Sequence, residues 1–118
     1  MIRILGPEVS VADVVREAQR DGDHVSVVPA GATKVESLDL FAEVLRFPDW
    51  FGRNLDALAD CLHDFAEEPL EAGRLRHLVW DGVALLRRSH PESYQDLAGV
   101  LDEVAEDHDA FVVTVLDR

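Results

Sequence analysis

The run "FVVTVL", residues 111–116, constrains the fold more than any other stretch. A strand sends successive side chains to opposite faces, so a run of five apolar residues broken only by Thr114 calls for cover on both sides. The run is also too short for a buried helix of ordinary length. The chain must therefore supply other strands beside it and helices to cover the resulting sheet.

Those strands are legible. "IRIL", residues 2–5, is ended by Gly6-Pro7; "VSVV", residues 25–28, leads into a "PAGAT" turn; "LRHLVW", residues 75–80, is a third. Helical patterns alternate with them. Ser10 reads as an N-cap with Asp13 three residues on, and Val11, Val14, Val15 and Ala18 follow at helical spacing until Asp21-Gly22. Ser37 reads as the cap of a second helix with an apolar stripe of Leu38, Phe41, Ala42 and Leu45, stopped by Pro48. Asn54 caps a third, with Leu55, Leu58, Leu62 and Phe65 on one face. After a short helical "GVALLRR", Ser89 and Glu92 form a capping-box pattern around Pro91. The helix so opened buries Tyr94, Leu97, Leu101 and Val104. Strands alternating with helices predict an α/β fold: a single small domain, residues 1–118, with a mostly parallel three- or four-stranded sheet packed with helices. Spacing leaves the strand order open.

Composition narrows function. With 47% hydrophobic and 30% charged residues the chain is built like a folded globule, not a disordered acidic tail. Acids outnumber Lys and Arg 24 to 11, for a net charge of −13. Such a chain repels nucleic acid and anionic lipid, so neither is expected as a partner, and it attracts cationic proteins. No apolar run is long enough to span a bilayer and no signal-peptide core precedes Gly6. Cys61 is the single cysteine, so no internal disulfide can form and a reducing, cytoplasmic setting is expected.

The stretch "FPDWFGRNLDALADCLHDF", Phe47 to Phe65, holds the strongest functional pattern. Asp56, Asp60 and Asp64 recur every fourth residue, where like charges repel by a few tenths of a kcal/mol each, about the size of other helix pairs. Asp56 gains from the helix N-terminus, Asp60 little, and Asp64 lies at the disfavoured end. From spacing alone the row is either a solvated face or a docking face for something positive. An enzyme using Asp56 and Asp60 with a metal is a third reading, but the pair lacks the flanking geometry of glycoside hydrolysis, and His63 with Asp60 or Asp64 leaves a coordination shell incomplete. No phosphate-binding glycine loop or nucleophile elbow occurs. Cys61 lies beside the apolar stripe and reads as a buried structural thiol. His24, His77, His90 and His108 show no pattern. No catalytic residue, metal or cofactor is expected.

In one gap-free block, Pro48, Asp49, Trp50, Phe51, Gly52, Asn54, Leu55, Asp56, Ala57, Leu58, Asp60, Cys61 and Leu62 match a known signature: Pro, an acid, two aromatics, Gly, then Asn-Leu-Asp-Ala-Leu. The segment resembles the barstar family, intracellular protein inhibitors of secreted barnase-like ribonucleases. The similarity extends more weakly over residues 25–117 and leaves residues 1–24 as an additional strand-helix segment, which either covers a sheet edge or forms a dimer contact. The resemblance implies a barstar-like fold and a non-enzymatic immunity protein. Its loop and acidic helix would occlude a cationic ribonuclease active site, one to one, by phosphate mimicry. The partner it implies is a secreted barnase-like or guanyl-specific ribonuclease. The alternative is an acidic module that binds a different basic partner or toxin without inhibiting a ribonuclease.

Position by position, the resemblance makes Asp60 the dominant anchor and Asp56 the second helix acid. Trp50 takes the place of a contact tyrosine, Phe51 lies beside it, and Gly52 and Asn54 shape the loop backbone. Glu103 corresponds to a rim acid. Ala59, His63 and Phe65 are further partner-contact positions that the resemblance implies, and there the chain departs from the family: a large aromatic is usual at the first, a threonine at the second and a tryptophan at the third. Arg53 replaces an acid, and must point away from a cationic partner to be tolerated.

Overall fold

The computed structural model describes residues 1–118, all of the chain. In chain order the elements are β1 (Ile2–Leu5), α1 (Val11–Arg20), β2 (His24–Pro29), α2 (Lys34–Leu45), α3 (Leu55–Glu67), β3 (Arg76–Asp81), α4 (Ala84–Ser89), α5 (Pro91–Asp107) and β4 (Phe111–Leu116). The strands form one sheet in the order β1-β4-β3-β2, and every neighbouring pair is parallel. The expected α/β architecture is therefore present, with the larger of the two strand numbers.

β4 lies between β1 and β3, and all of its residues are buried, as its almost wholly apolar run requires. Phe111, Val113 and Val115 join the main core with Leu78 and Trp80 of β3 and the inner faces of α2, α3, α4 and α5. On the opposite face, Leu116 and Val79 pack with Val14 of α1, flanked by Leu5, Val25 and Val27. The connection through α1 starts at one edge strand and ends at the other, so it crosses this second face. Residues 1–24 thus add an edge strand beside β4 and a helix on the face that the other helices leave open. Between β1 and β4, Arg3 Nε donates to Thr114 Oγ1 at 2.9 Å, partnering the one hydroxyl of that buried strand.

Local chemistry explains the helix ends, with two corrections. Ser10 accepts from Asp13 N–H as the sequence indicates. α2, however, is capped by Thr33, whose hydroxyl accepts from Glu36 N–H. Ser37 lies inside the helix and fully buried, where its hydroxyl accepts from Gly31 N–H. The earlier cap wins because a Ser turned inward can partner an otherwise orphaned buried amide of the preceding turn. α2 stops at Leu45, before Pro48, with Arg46 left-handed at φ 57°. At α5 the Ser89 capping box does not form: His90 occupies the N-cap without a side-chain bond, and Pro91 opens the helix. α4 runs directly into α5, so Ser89 is the last residue of one helix and cannot also cap the next. The third strand begins at Arg76, not Leu75, and runs one residue past Trp80. No helix is long and apolar enough to cross a membrane.

Candidate interface: the 47–53 loop and helix α3

The loop before α3 is held from below and open above. Phe47 and Phe51 pack ring to ring at 5.2 Å and lie against the main core, while Phe51 N–H donates to Pro48 C=O and closes a turn. This anchoring leaves Trp50 at the turn's apex, 62% exposed. Gly52 lets the cap sit close: a Cβ there would stand 3.0 Å from the Asn54 side-chain nitrogen, so that side chain would have to give by a few tenths of an ångström. That nitrogen donates to Gly52 C=O, and the Asn54 carbonyl oxygen accepts from Ala57 N–H at 2.8 Å, the expected cap. Asn54 therefore fixes both the loop and the start of α3.

Arg53 carries the only non-glycine left-handed conformation of the loop, φ 52°. Its guanidinium forms two 2.7 Å bonds to the Asp39 carboxylate of α2, a bidentate pair. The cation is thus neutralised within the chain. A groove of about 460 Å³ lies alongside, lined by Lys34, Val35, Leu38, Arg53, Asn54, Leu55 and Asp56. Lys34 in turn is paired with Asp96 at 2.9 Å.

Along α3, Leu58, Cys61, Leu62 and Phe65 are buried, and Asp56, Asp60 and Asp64 are exposed. None of these three acids pairs with a cation of the chain, whereas the neighbouring Asp39, Asp96 and Asp107 all have basic partners. Ala59 and His63 are half-buried on the flanks. Phe65, named above as a family contact position, is 9% exposed: it packs edge-on against Phe111 with the Arg76 guanidinium over its ring. It belongs to the core stripe that the apolar spacing also assigned to it. Glu103 is exposed, but stands on α5, the helix against which α3 packs, and not in the contiguous loop-helix segment.

Cys61 is not a usable nucleophile. Burial pushes the Cys61 thiol up, and the Asp64 and Asp60 charges add to that, so the thiolate is disfavoured. Two histidine contacts escaped the sequence reading. His63 Nδ1 lies 2.9 Å from His108 Nε2, and His63 Nε2 is 3.9 Å from an Asp107 oxygen, tying α3 to the end of α5. His77 Nε2 meets Asp23 Oδ2 at 2.9 Å on the far side of the sheet. The partners are 45 and 54 residues apart, and no local spacing announces them.

A loop anchored by paired aromatics, a glycine pressed against its asparagine cap and an acid row on the outer face form one continuous surface. The family model described as Barstar (barnase inhibitor) matches residues 25–117. The chain belongs to the barstar family. The match takes in β2 through β4 and the whole loop-helix surface, and it begins where the additional β1-α1 segment ends. Among curated proteins no significant match is found. As barstars are inhibitors of barnase, the family assignment carries an inhibitor-like role and not a catalytic one.

Proposed function

We propose that this barstar-family chain inhibits a ribonuclease by laying the 47–53 loop and α3 across its active site, with Asp60 as the central anchor and Asp56 beside it. The observation that carries this reading is the row of exposed acids, unpaired within the chain, next to an exposed tryptophan. A ribonuclease must present Arg, Lys or His to the scissile phosphate, so its cleft is a cationic hole that carboxylates fill with charge-assisted hydrogen bonds. Trp50 supplies the rigid apolar area that such contacts need at their margin, and barstar with barnase is itself a standard case of this kind of hot spot. The i,i+4 repulsion along α3 is relieved when guanidinium groups interleave the acids. Arg53 does not oppose docking, because Asp39 already neutralises it. Gly52 and Asn54 set the loop backbone, Ala59 and His63 form the flanks, and Glu103 contributes a rim charge. The protein is a non-enzymatic, one-to-one inhibitor of a barnase-like or guanyl-specific ribonuclease.

The test is a titration of small basic ribonucleases with the purified chain, following RNA cleavage and complex formation together. Inhibition complete at one equivalent is expected for a matching nuclease. Binding that leaves cleavage intact would transfer the surface to the alternative, an acidic module for another basic protein.

A further inference from the structure

The groove between α2 and the start of α3 holds three charged residues, Lys34, Arg53 and Asp56. Opposite charges that share a groove attract, yet Asp56 pairs with neither cation. Each cation is drawn instead to a carboxylate outside the groove lining. Arg53 makes its two 2.7 Å bonds to Asp39 on α2, and Lys34 reaches Asp96 on α5 at 2.9 Å. The Arg53 pair is the more directional: its Nε and one terminal nitrogen each bond a different Asp39 oxygen, where the Lys34 ammonium makes one contact. Arg53 is also the one cation of the loop and stands three residues before Asp56, while Asp39 lies 14 residues back. Its backbone is left-handed, φ 52°, and the side chain that leaves this turn runs back to α2. The acid nearer in sequence is passed over.

We propose that Asp39 is a positioning residue of the docking surface: by holding Arg53 against α2, it leaves Asp56 free for the cations of the partner. The assignment rests on the reading of α3 as the docking face. An acid bonded within its own chain must be released before it can bond a partner. Apparent affinity then falls with the fraction of molecules in which that acid is free. A loose guanidinium would also set a positive charge where a cationic cleft approaches. Asp39 removes both penalties from a helix outside the loop and α3. The two side chains are 56% and 50% exposed, so the pair acts on where Arg53 stands and adds little to the stability of the fold.

A double-mutant cycle tests this. Asp39→Asn keeps the side-chain shape and removes its charge; Arg53→Asn removes the cation with a residue that tolerates the left-handed backbone. Against the ribonuclease inhibited in the titration above, Asp39→Asn should weaken binding roughly tenfold, chiefly by slowing association. In the Arg53→Asn background the same change should alter binding by less than about twofold, because no guanidinium is left to release. Asp13→Asn, which takes an equal charge from an exposed pair on α1, should also alter it by less than about twofold. NMR of the free chain supplies a readout that needs no nuclease. The Arg53 side chain should show Overhauser contacts to Asp39 in the parent and to Asp56 in Asp39→Asn. Binding unchanged in Asp39→Asn would overturn the proposal, as would a loss that persists in the Arg53→Asn background or is matched by Asp13→Asn. An Arg53 that stays away from Asp56 in the free Asp39→Asn chain would overturn it too. Failure to inhibit any ribonuclease would instead remove the reading beneath it, and the NMR contacts would still decide whether Asp39 keeps Arg53 off Asp56.

Discussion

Asp60 and Asp109 carry the same charge in different settings, and their contrast tests the proposed anchor. Asp60 projects from the middle of α3, where a docked cleft would desolvate it; Asp109 sits in the exposed turn before β4. Losing one partner of a desolvated charge pair leaves the other buried and alone, which costs far more than losing a rim charge. Against an inhibited nuclease, Asp60→Ala should weaken binding roughly thirty-fold or more, the threshold of a hot spot in the very family that illustrates the effect. Asp109→Ala should change it by less than about threefold. Equal losses in a titration of both variants would remove Asp60 from its role. Asp23 makes a second residue-scale case. The Leu75 N–H bond holds its carboxyl below the usual range; burial opposes this, and the bond to His77 assists it. A depressed folded pKa means that the stabilisation is present above the ordinary carboxylate range and is lost as pH falls through the folded value. Urea unfolding should therefore find Asp23→Ala destabilised most near neutrality, with the gap to the parent closing in acid. The acid row of α3 was legible because a helix repeats every fourth residue. Asp23 with His77, and His63 with His108, were not, because only the folded sheet and helix pair bring them together.

At the scale of elements, the helices and strands all stand where their periodicity puts them, while two of the capping assignments moved. Asn54 could be read correctly because it follows a Gly-containing loop and precedes an unbroken apolar stripe. Ser37 misled because a hydroxyl before a stripe signals a cap equally well when it points inward. The bur-ied hydroxyl bonds the chain's own turn, a contact invisible without the fold. The difference is measurable. Thr33→Ala removes a real cap and should cost about 1 kcal/mol of stability. Ser89→Ala removes an exposed hydroxyl with no cap bond and should fall within about 0.5 kcal/mol of the parent. Thermal or urea unfolding of both variants checks this, and a larger loss at Ser89 would revive the capping box.

For the molecule as a whole, the net charge of −13 acts at distances no single contact reaches. Encounter with a cationic nuclease should be fast at low ionic strength, and its rate should fall roughly tenfold or more as salt rises to about 0.5 M, while dissociation changes much less. Stopped-flow association across a salt series reads this directly, and a flat profile would remove electrostatic steering. The fold class followed from the alternation of strands and helices, and the double cover of β4 from its apolar run. Strand order did not follow, since parallel strands joined by long crossovers can be laid side by side in several ways. Nor did the place of residues 1–24, because nothing in "IRIL" says which strand it joins.

That placement governs how the chain can assemble. Of the four strands β4 is made last, yet it lies between β1, the first made, and β3. Until residue 111 emerges, β1 and β3 have no strand between them, and the sheet exists only as fragments. Assembly must wait for a late, far-reaching closure, which makes it slow and leaves bare strand edges to be shielded in the meantime.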